Sequence, residues 1–202
     1  MNAQISKNGD YYYCGITVDY QIKNSLIFRT KDFLTFEFWL EPQFTNPSNA
    51  VFEGACYCKG SYLYYALRQR IPSTSVNRTY MILAKINLST KVISDEITIH
   101  DTSSRACFFE DGNSNLYLMH STENRQRVEF LKLNETHLSD SIIVMQGSQQ
   151  GIYPSVHKYE DYYYLSSTGN SCTAVYVRRF SLCPFTKDSV NTKFIDILGI
   201  TI

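Results

Sequence analysis

A chain of 202 residues, 44% hydrophobic and 14% aromatic, is long enough to close one substantial core, and 16 Tyr with 12 Phe against a single Trp suit pleated surfaces better than helices. Nineteen basic and nineteen acidic residues cancel to a formal net charge of zero, which removes the basic footprint that a duplex nucleic-acid binder carries. The opening MNAQISKNGD has no apolar core of the kind a secretory signal needs, and nowhere do about eighteen apolar residues run together, so neither export nor a membrane span is expected.

The first predicted element is a hairpin: AQISK (3–7) is a short strand, the polar Asn-Gly-Asp that follows is a tight turn, and the tyrosine-rich segment within NGDYYYCGI (8–16) is its partner. SLIFRT (25–30) and FEFWL (36–40), with alternating apolar residues, supply a third and a fourth strand. The same phrase then recurs. ACYCK (55–59) turns into KGSYLYYAL (59–67), with TYMILAKI (79–86) and EITIHD (96–101) behind it. ACFFE (106–110) turns into SNLYLMHS (114–121), followed by RVEFLKL (127–133) and SIIVMQ (141–146). PSVHK (154–158) turns into YEDYYYLSS (159–167), followed by TAVYVRRF (173–180) and FIDILGI (194–200).

Aligning Tyr11, Tyr62, Leu116 and Tyr162 sets the units 51, 54 and 46 residues apart. A four-stranded antiparallel unit repeating at about fifty residues is the signature of propeller blades, each burying its neighbour's face. The expected fold is therefore all-β, a β-propeller of four-stranded antiparallel blades in a single domain spanning 1–202. Its blades are approximately 1–50, 51–101, 102–148 and 149–202. Four blades are legible, and the chain leaves room for a five-bladed ring that a partner chain completes. A meandering sandwich is the competing architecture.

Six cysteines, Cys14, Cys56, Cys58, Cys107, Cys172 and Cys183, show no paired CxxC spacing, and no His spacing suits a metal. They read as small buried hydrophobes with free thiols, which favours a reducing, cytoplasmic setting. Neither a metal nor a cofactor is expected. The sequons at Asn77, Asn87 and Asn134 matter only in a secreted eukaryotic protein. No GxSxG, Walker-type glycine loop or HExxH is present, and GSQQG (147–151) is a loop.

Three passages carry a resemblance: SLIFRTKDFLTFEFW, SSRACFFEDGNSNLYLMHS and YPSVHKYEDYYYLSSTG. Together they resemble the blades of the five-bladed propeller glycoside hydrolases of families 32, 43 and 68, where a short motif, a strand, an Asp-Gly turn and a tyrosine-rich strand follow one another. The likeness spans most of the chain, although its motifs are degenerate. It implies hydrolysis by a pair of carboxylates flanking the glycosidic bond, with a third acidic residue orienting the sugar. At the position corresponding to the family's general acid this chain has Ile152, and at the third-blade aspartate it has Ala106 beside Arg105. The first blade offers only Asn2, Gln4 and Ser6.

Glu53, just before the inner strand of the second blade, is the one carboxylate at a comparable place and the one catalytic candidate. By the same geometry Arg105, Tyr153 and Gln150 begin inner strands, while Arg68, His120, Ser167 and Asn170 follow second strands on the same rim. That polar, largely non-acidic set suits binding of a carbohydrate or a protein ligand, because guanidinium forks onto anions and tyrosine rings stack on sugars. The alternative is an active glycoside hydrolase, arabinosidase- or xylosidase-like with carboxylates among Glu53, Asp101, Glu110 and Asp111, or sialidase-like with Arg68, Arg70, Arg105 and Arg125 converging.

Overall fold

The computed structural model describes residues 4–17, 25–45, 50–70, 79–100, 105–122, 127–133, 142–146, 152–168, 174–180 and 195–201, with the side chains of residues 17, 50–53, 70, 79, 142–146, 152, 174 and 195–201 left aside. These residues form sixteen strands in four consecutive antiparallel sheets. The first sheet is β1 (Ser6–Asn8), β2 (Tyr11–Thr17), β3 (Ser25–Thr30) and β4 (Glu37–Leu40), in that order. The second is β5 (Ala50–Lys59), β6 (Tyr62–Arg70), β7 (Thr79–Asn87) and β8 (Ile93–Ile99). The third is β9 (Cys107–Glu110), β10 (Leu116–Thr122), β11 (Arg127–Leu133) and β12 (Ile142–Gln146), and the fourth is β13 (Ile152–Tyr159), β14 (Tyr162–Thr168), β15 (Ala174–Phe180) and β16 (Ile195–Thr201).

Every sheet is a simple meander, and Tyr11, Tyr62, Leu116 and Tyr162 each open a second strand. The hairpins explain the repeat. Pairing of Asn8 with Tyr11, Lys59 with Tyr62 and Tyr159 with Tyr162 leaves two-residue turns whose first residues, Gly9, Gly60 and Glu160, have φ of 57°, 57° and 53°. A positive φ there matches the twist of the strands, and glycine meets it without strain whereas Glu160 does not. The third hairpin is longer and is built around Asp111. One carboxylate oxygen accepts from Asn113 N (2.9 Å) and Asn115 N (2.8 Å), and the other from Asn115 Nδ2 (2.8 Å) and the Tyr117 hydroxyl (3.1 Å).

The chain divides into two compact units, Met1–Phe108 and Phe109–Ile202. In the first, residues of β2, β3, β4, β5, β6 and β7 interdigitate as one core of Tyr13, Ile27, Trp39, Cys56, Leu63, Tyr65, Leu67, Ala84 and Ile86. Tyr13 meets Trp39 edge to face, with centroids 5.1 Å apart. Tyr65 lies against Gly15 and Gly54, where a side chain would collide with its ring, and its hydroxyl bonds the Ser25 hydroxyl. The short β1 is tied to β5 by its backbone and by polar side chains. Cys56 N donates to Gln4 O (3.1 Å), Cys58 N donates to Ser6 Oγ (2.7 Å), and the Gln4 amide pairs with both the O (2.7 Å) and the N (2.6 Å) of Phe108 as a strand residue would.

The second unit is held by rings. Phe109 stacks on Tyr117 at 5.0 Å and meets Phe130 edge-on at 4.8 Å, while Phe180 lies 5.2 Å from Phe130 and 5.5 Å from Tyr163. Such pairs are worth about 0.5–1.5 kcal/mol each beyond the area they bury. They join the third sheet to the fourth through Phe109 of β9 and Phe130 of β11.

Candidate functional site

In both units the start of a first strand meets the end of the second strand at a β-bulge. In the second sheet Phe52 pairs with Arg68 and Gly54 with Leu67, which leaves Glu53 as the extra residue. In the fourth, Ile152 pairs with Thr168 and Ser155 with Ser166, so Tyr153 and Pro154 lie opposite Ser167. Glu53 and Tyr153 both stand six residues before the pair that closes their hairpin, Lys59 with Tyr62 and Tyr159 with Tyr162, so they hold the same place in their blades. Bulges re-aim side chains and cluster next to functional sites.

Tyr153 sits there with φ 51°, a left-handed conformation that a tyrosine rarely adopts, and its side chain stays exposed. Pro154 behind it is buried, as is Ser167 opposite. The strain holds an aromatic ring out at the strand entry while its neighbour anchors the backbone. The Glu53 side chain lies outside the described residues, as do Gln150, Asn170, Asp101 and Arg125.

The remaining candidates divide by unit. In the first, Arg68 is half-buried and pairs across the ladder with Phe52 and Met81, and Arg105 is half-buried just before β9, followed by buried Ala106. In the second, His120 is 2% exposed within β10, on the face opposite Tyr117 and Met119. Its Nδ1 donates to Ser121 O at 3.4 Å, and its Nε2 is buried without a partner. Burial pushes the imidazole down to about 4, so it is neutral near pH 7 and holds no proton to give as a general acid. Arg68, His120 and Ser167 lie inside their second strands rather than after them, because β6, β10 and β14 run on to Arg70, Thr122 and Thr168. The structure thus brings Tyr153 and Ser167 together, and the backbone of Glu53 beside Arg68.

Of the alternative carboxylates, Asp111 is committed to its turn, where hydrogen bonds from Asn115, Asn113 and Tyr117 outweigh burial and hold it below the ordinary carboxylate range. Glu110 ends β9 at the same hairpin. Among the described residues no group of three or more His, Cys, Asp or Glu is arranged to hold a metal. Cys14, Cys56 and Cys58 are free thiols, and burial pushes Cys14 and Cys56 up and Cys58 to about 11, which makes these three poor nucleophiles.

One polar residue of this region escaped the sequence reading. Gln69, on β6, is fully buried, with neither amide atom bonded. The signal was present, because Leu63, Tyr65 and Leu67 alternate on the core face and the next residue on that face is an amide.

No protein-family model matches the sequence, and no curated protein matches it by sequence. Solved structures do match. A xylan beta-1,4-xylosidase from Bacillus halodurans superposes with TM-score 0.68 at 14% identity, over 96% of this chain and 41% of that one. An exo-beta-1,3-galactanase from Clostridium thermocellum gives TM-score 0.72 at 13% identity, over 98% and 48%. An exo-beta-1,3-galactanase from Phanerochaete chrysosporium, solved with beta-1,3-galactotriose, gives 0.65 at 17%, over 100% and 50%. The chain spans half or less of the length of these structures. At these identities the likeness is one of fold alone, an all-β chain of four meandering antiparallel sheets of the β-propeller blade kind.

Proposed function

We propose that this chain is a glycosidase-like propeller whose central face binds carbohydrate without cleaving it. The observation that carries the reading is the pair of equivalent bulges. At the strand entry where the resembling family places acid and base groups, the fourth blade presents the exposed ring of Tyr153, with Ile152 before it, and Ala106 fills the corresponding place in the third. General acid and base groups each contribute about 10²–10⁴-fold to rate, and neither Ile152 nor Ala106 can exchange a proton with a glycosidic oxygen. A tyrosine ring at that place instead offers an apolar surface for a sugar face. Arg68, Arg105, His120, Ser167 and Asn170 are assigned to polar contacts with the sugar.

Support for a sugar as ligand comes from the fold, shared with enzymes described as acting on xylan and galactan, one of them solved with a bound galactotriose. The competing reading keeps Glu53 as a catalytic carboxylate, because it holds the bulge position in the second blade. Immobilised xylan, arabinan and galactan oligosaccharides separate the two. Wild-type protein is expected to bind at least one of them, Tyr153→Ala to weaken that binding at least tenfold, and Glu53→Gln to leave it within about twofold. Hydrolysis that disappears in Glu53→Gln refutes the proposal.

A further inference from the structure

One side of the first sheet is apolar and open where its counterpart in the second sheet is buried. Tyr11 and Tyr62 open equivalent second strands, so Tyr12, Cys14 and Ile16 hold the places of Leu63, Tyr65 and Leu67. Leu63, Tyr65 and Leu67 are each 0% exposed, in one core with Tyr13, Ile27 and Trp39 of the first sheet. On the first sheet only the small Cys14 is covered. Tyr12, Ile16, Leu26 and Phe28 are half-buried, and Phe38, which pairs with Phe28 across the ladder and meets its ring at 6.0 Å, is 59% exposed.

A contiguous apolar surface of this kind marks an interaction site, and a blade buries such a face against a neighbouring blade. The contact already made shows what that neighbour must offer. The first sheet meets the second with Tyr13, Gly15 and Ile27; Tyr13 pairs with Arg29 and Gly15 with Ile27, and Arg29 lies over the Tyr11 ring at 4.1 Å. The fourth sheet repeats this set. Tyr164 pairs with Arg179 and Ser166 with Val177, and Arg179 lies over the Tyr162 ring at 4.5 Å. There the face is open, with Tyr162 exposed and Tyr164, Ser166, Val177 and Arg179 half-buried, whereas Tyr13 and Ile27 are buried.

We propose that the fourth-sheet face of one copy docks on the first-sheet face of a second copy, in the way the first sheet meets the second. The two faces differ, so the contact is head-to-tail, and a copy that gives one face still offers the other. The association does not depend on the sugar.

Sedimentation of the full chain over a roughly hundredfold range of concentration should show a mass that rises above that of a single copy. Phe38→Glu on one face, or Tyr164→Glu on the other, places a charge in the contact and should weaken association at least tenfold. A mixture of the two variants should associate again, as pairs and no further, because each supplies the face that the other lacks. Phe38→Ser and Tyr164→Ser, which add no charge, should give the same pattern more weakly. Wild type that sediments as a single copy throughout overturns the proposal, and so do variants that associate like wild type or mixtures that stay dissociated in both pairs.

Discussion

Acidification should weaken the fold through His120. The ordinary imidazole value is 6.5 and burial holds this one at about 4. At pH 7.5 the ring is neutral in the folded and unfolded states alike, so it contributes no difference. Between 6.5 and about 4 the unfolded chain binds a proton that the folded chain refuses, and stability rises with pH, and so is lost on acidification, wherever the unfolded state binds more protons. Each unit of separation is worth about 1.36 kcal/mol, so the full effect is about 3 kcal/mol and roughly 2 kcal/mol of it is lost by pH 5. Asp32 and Asp111, both held below their ordinary 3.8, supply stability that is lost only as pH falls through the carboxylate range, beneath most of this window. Urea denaturation of wild type and His120→Gln at pH 7.5 and 5 isolates the histidine. Wild type should lose about 2 kcal/mol more than the variant. Parallel losses, within the roughly 0.5 kcal/mol scatter of surface changes, would show that His120 is not buried neutral.

A Cβ on Gly15 would stand 2.5 Å from the Tyr65 ring, so Gly15→Ala should cost about 1–3 kcal/mol by overpacking, and chemical denaturation should show a smaller cost in a Tyr65→Leu background. Equal costs in both backgrounds would mean the ring is not the obstacle. Glu160 occupies the left-handed turn position that Gly9 and Gly60 fill in the equivalent hairpins, so Glu160→Gly should stabilise the protein by about 0.5–1 kcal/mol despite glycine's entropy. A lower melting temperature would remove the turn equivalence. All six cysteines should react as free thiols under denaturing, non-reducing conditions, and Cys14 and Cys56 should react slowly in the folded protein. Fewer than six reactive groups would place the chain in an oxidising setting.

The meanders were legible because their signals are local. Turn chemistry at Asn8-Gly9, Lys59-Gly60 and Glu160-Asp161, followed by tyrosine-rich alternation, fixed hairpin, strand order and period together, and β2, β6, β10 and β14 open at the aligned residues. The strand entries were harder, because a bulge depends on pairing between segments rather than on composition. Nothing in YPSVHK announces that Tyr153 takes a positive φ, nor does the sequence around Arg68 show that β6 continues through Gln69 to Arg70. In the first blade the sequence offers Gln4 near the place where the resembling family has a carboxylate. Its amide instead stands in for a strand residue, pairing the main chain of Phe108. Asp111, one of the candidate carboxylates, is committed to its hairpin, where it accepts four hydrogen bonds.

The central claim is that this propeller face holds a sugar without breaking it. The most direct measurement follows one preparation against aryl xylosides, arabinosides, galactosides, fructosides and sialosides for release of the aryl group, and against the corresponding immobilised oligosaccharides for binding. The account predicts glycan binding that weakens in Tyr153→Ala, with no turnover above a heat-denatured control. Turnover of any of these glycosides that is abolished in Glu53→Gln would contradict it.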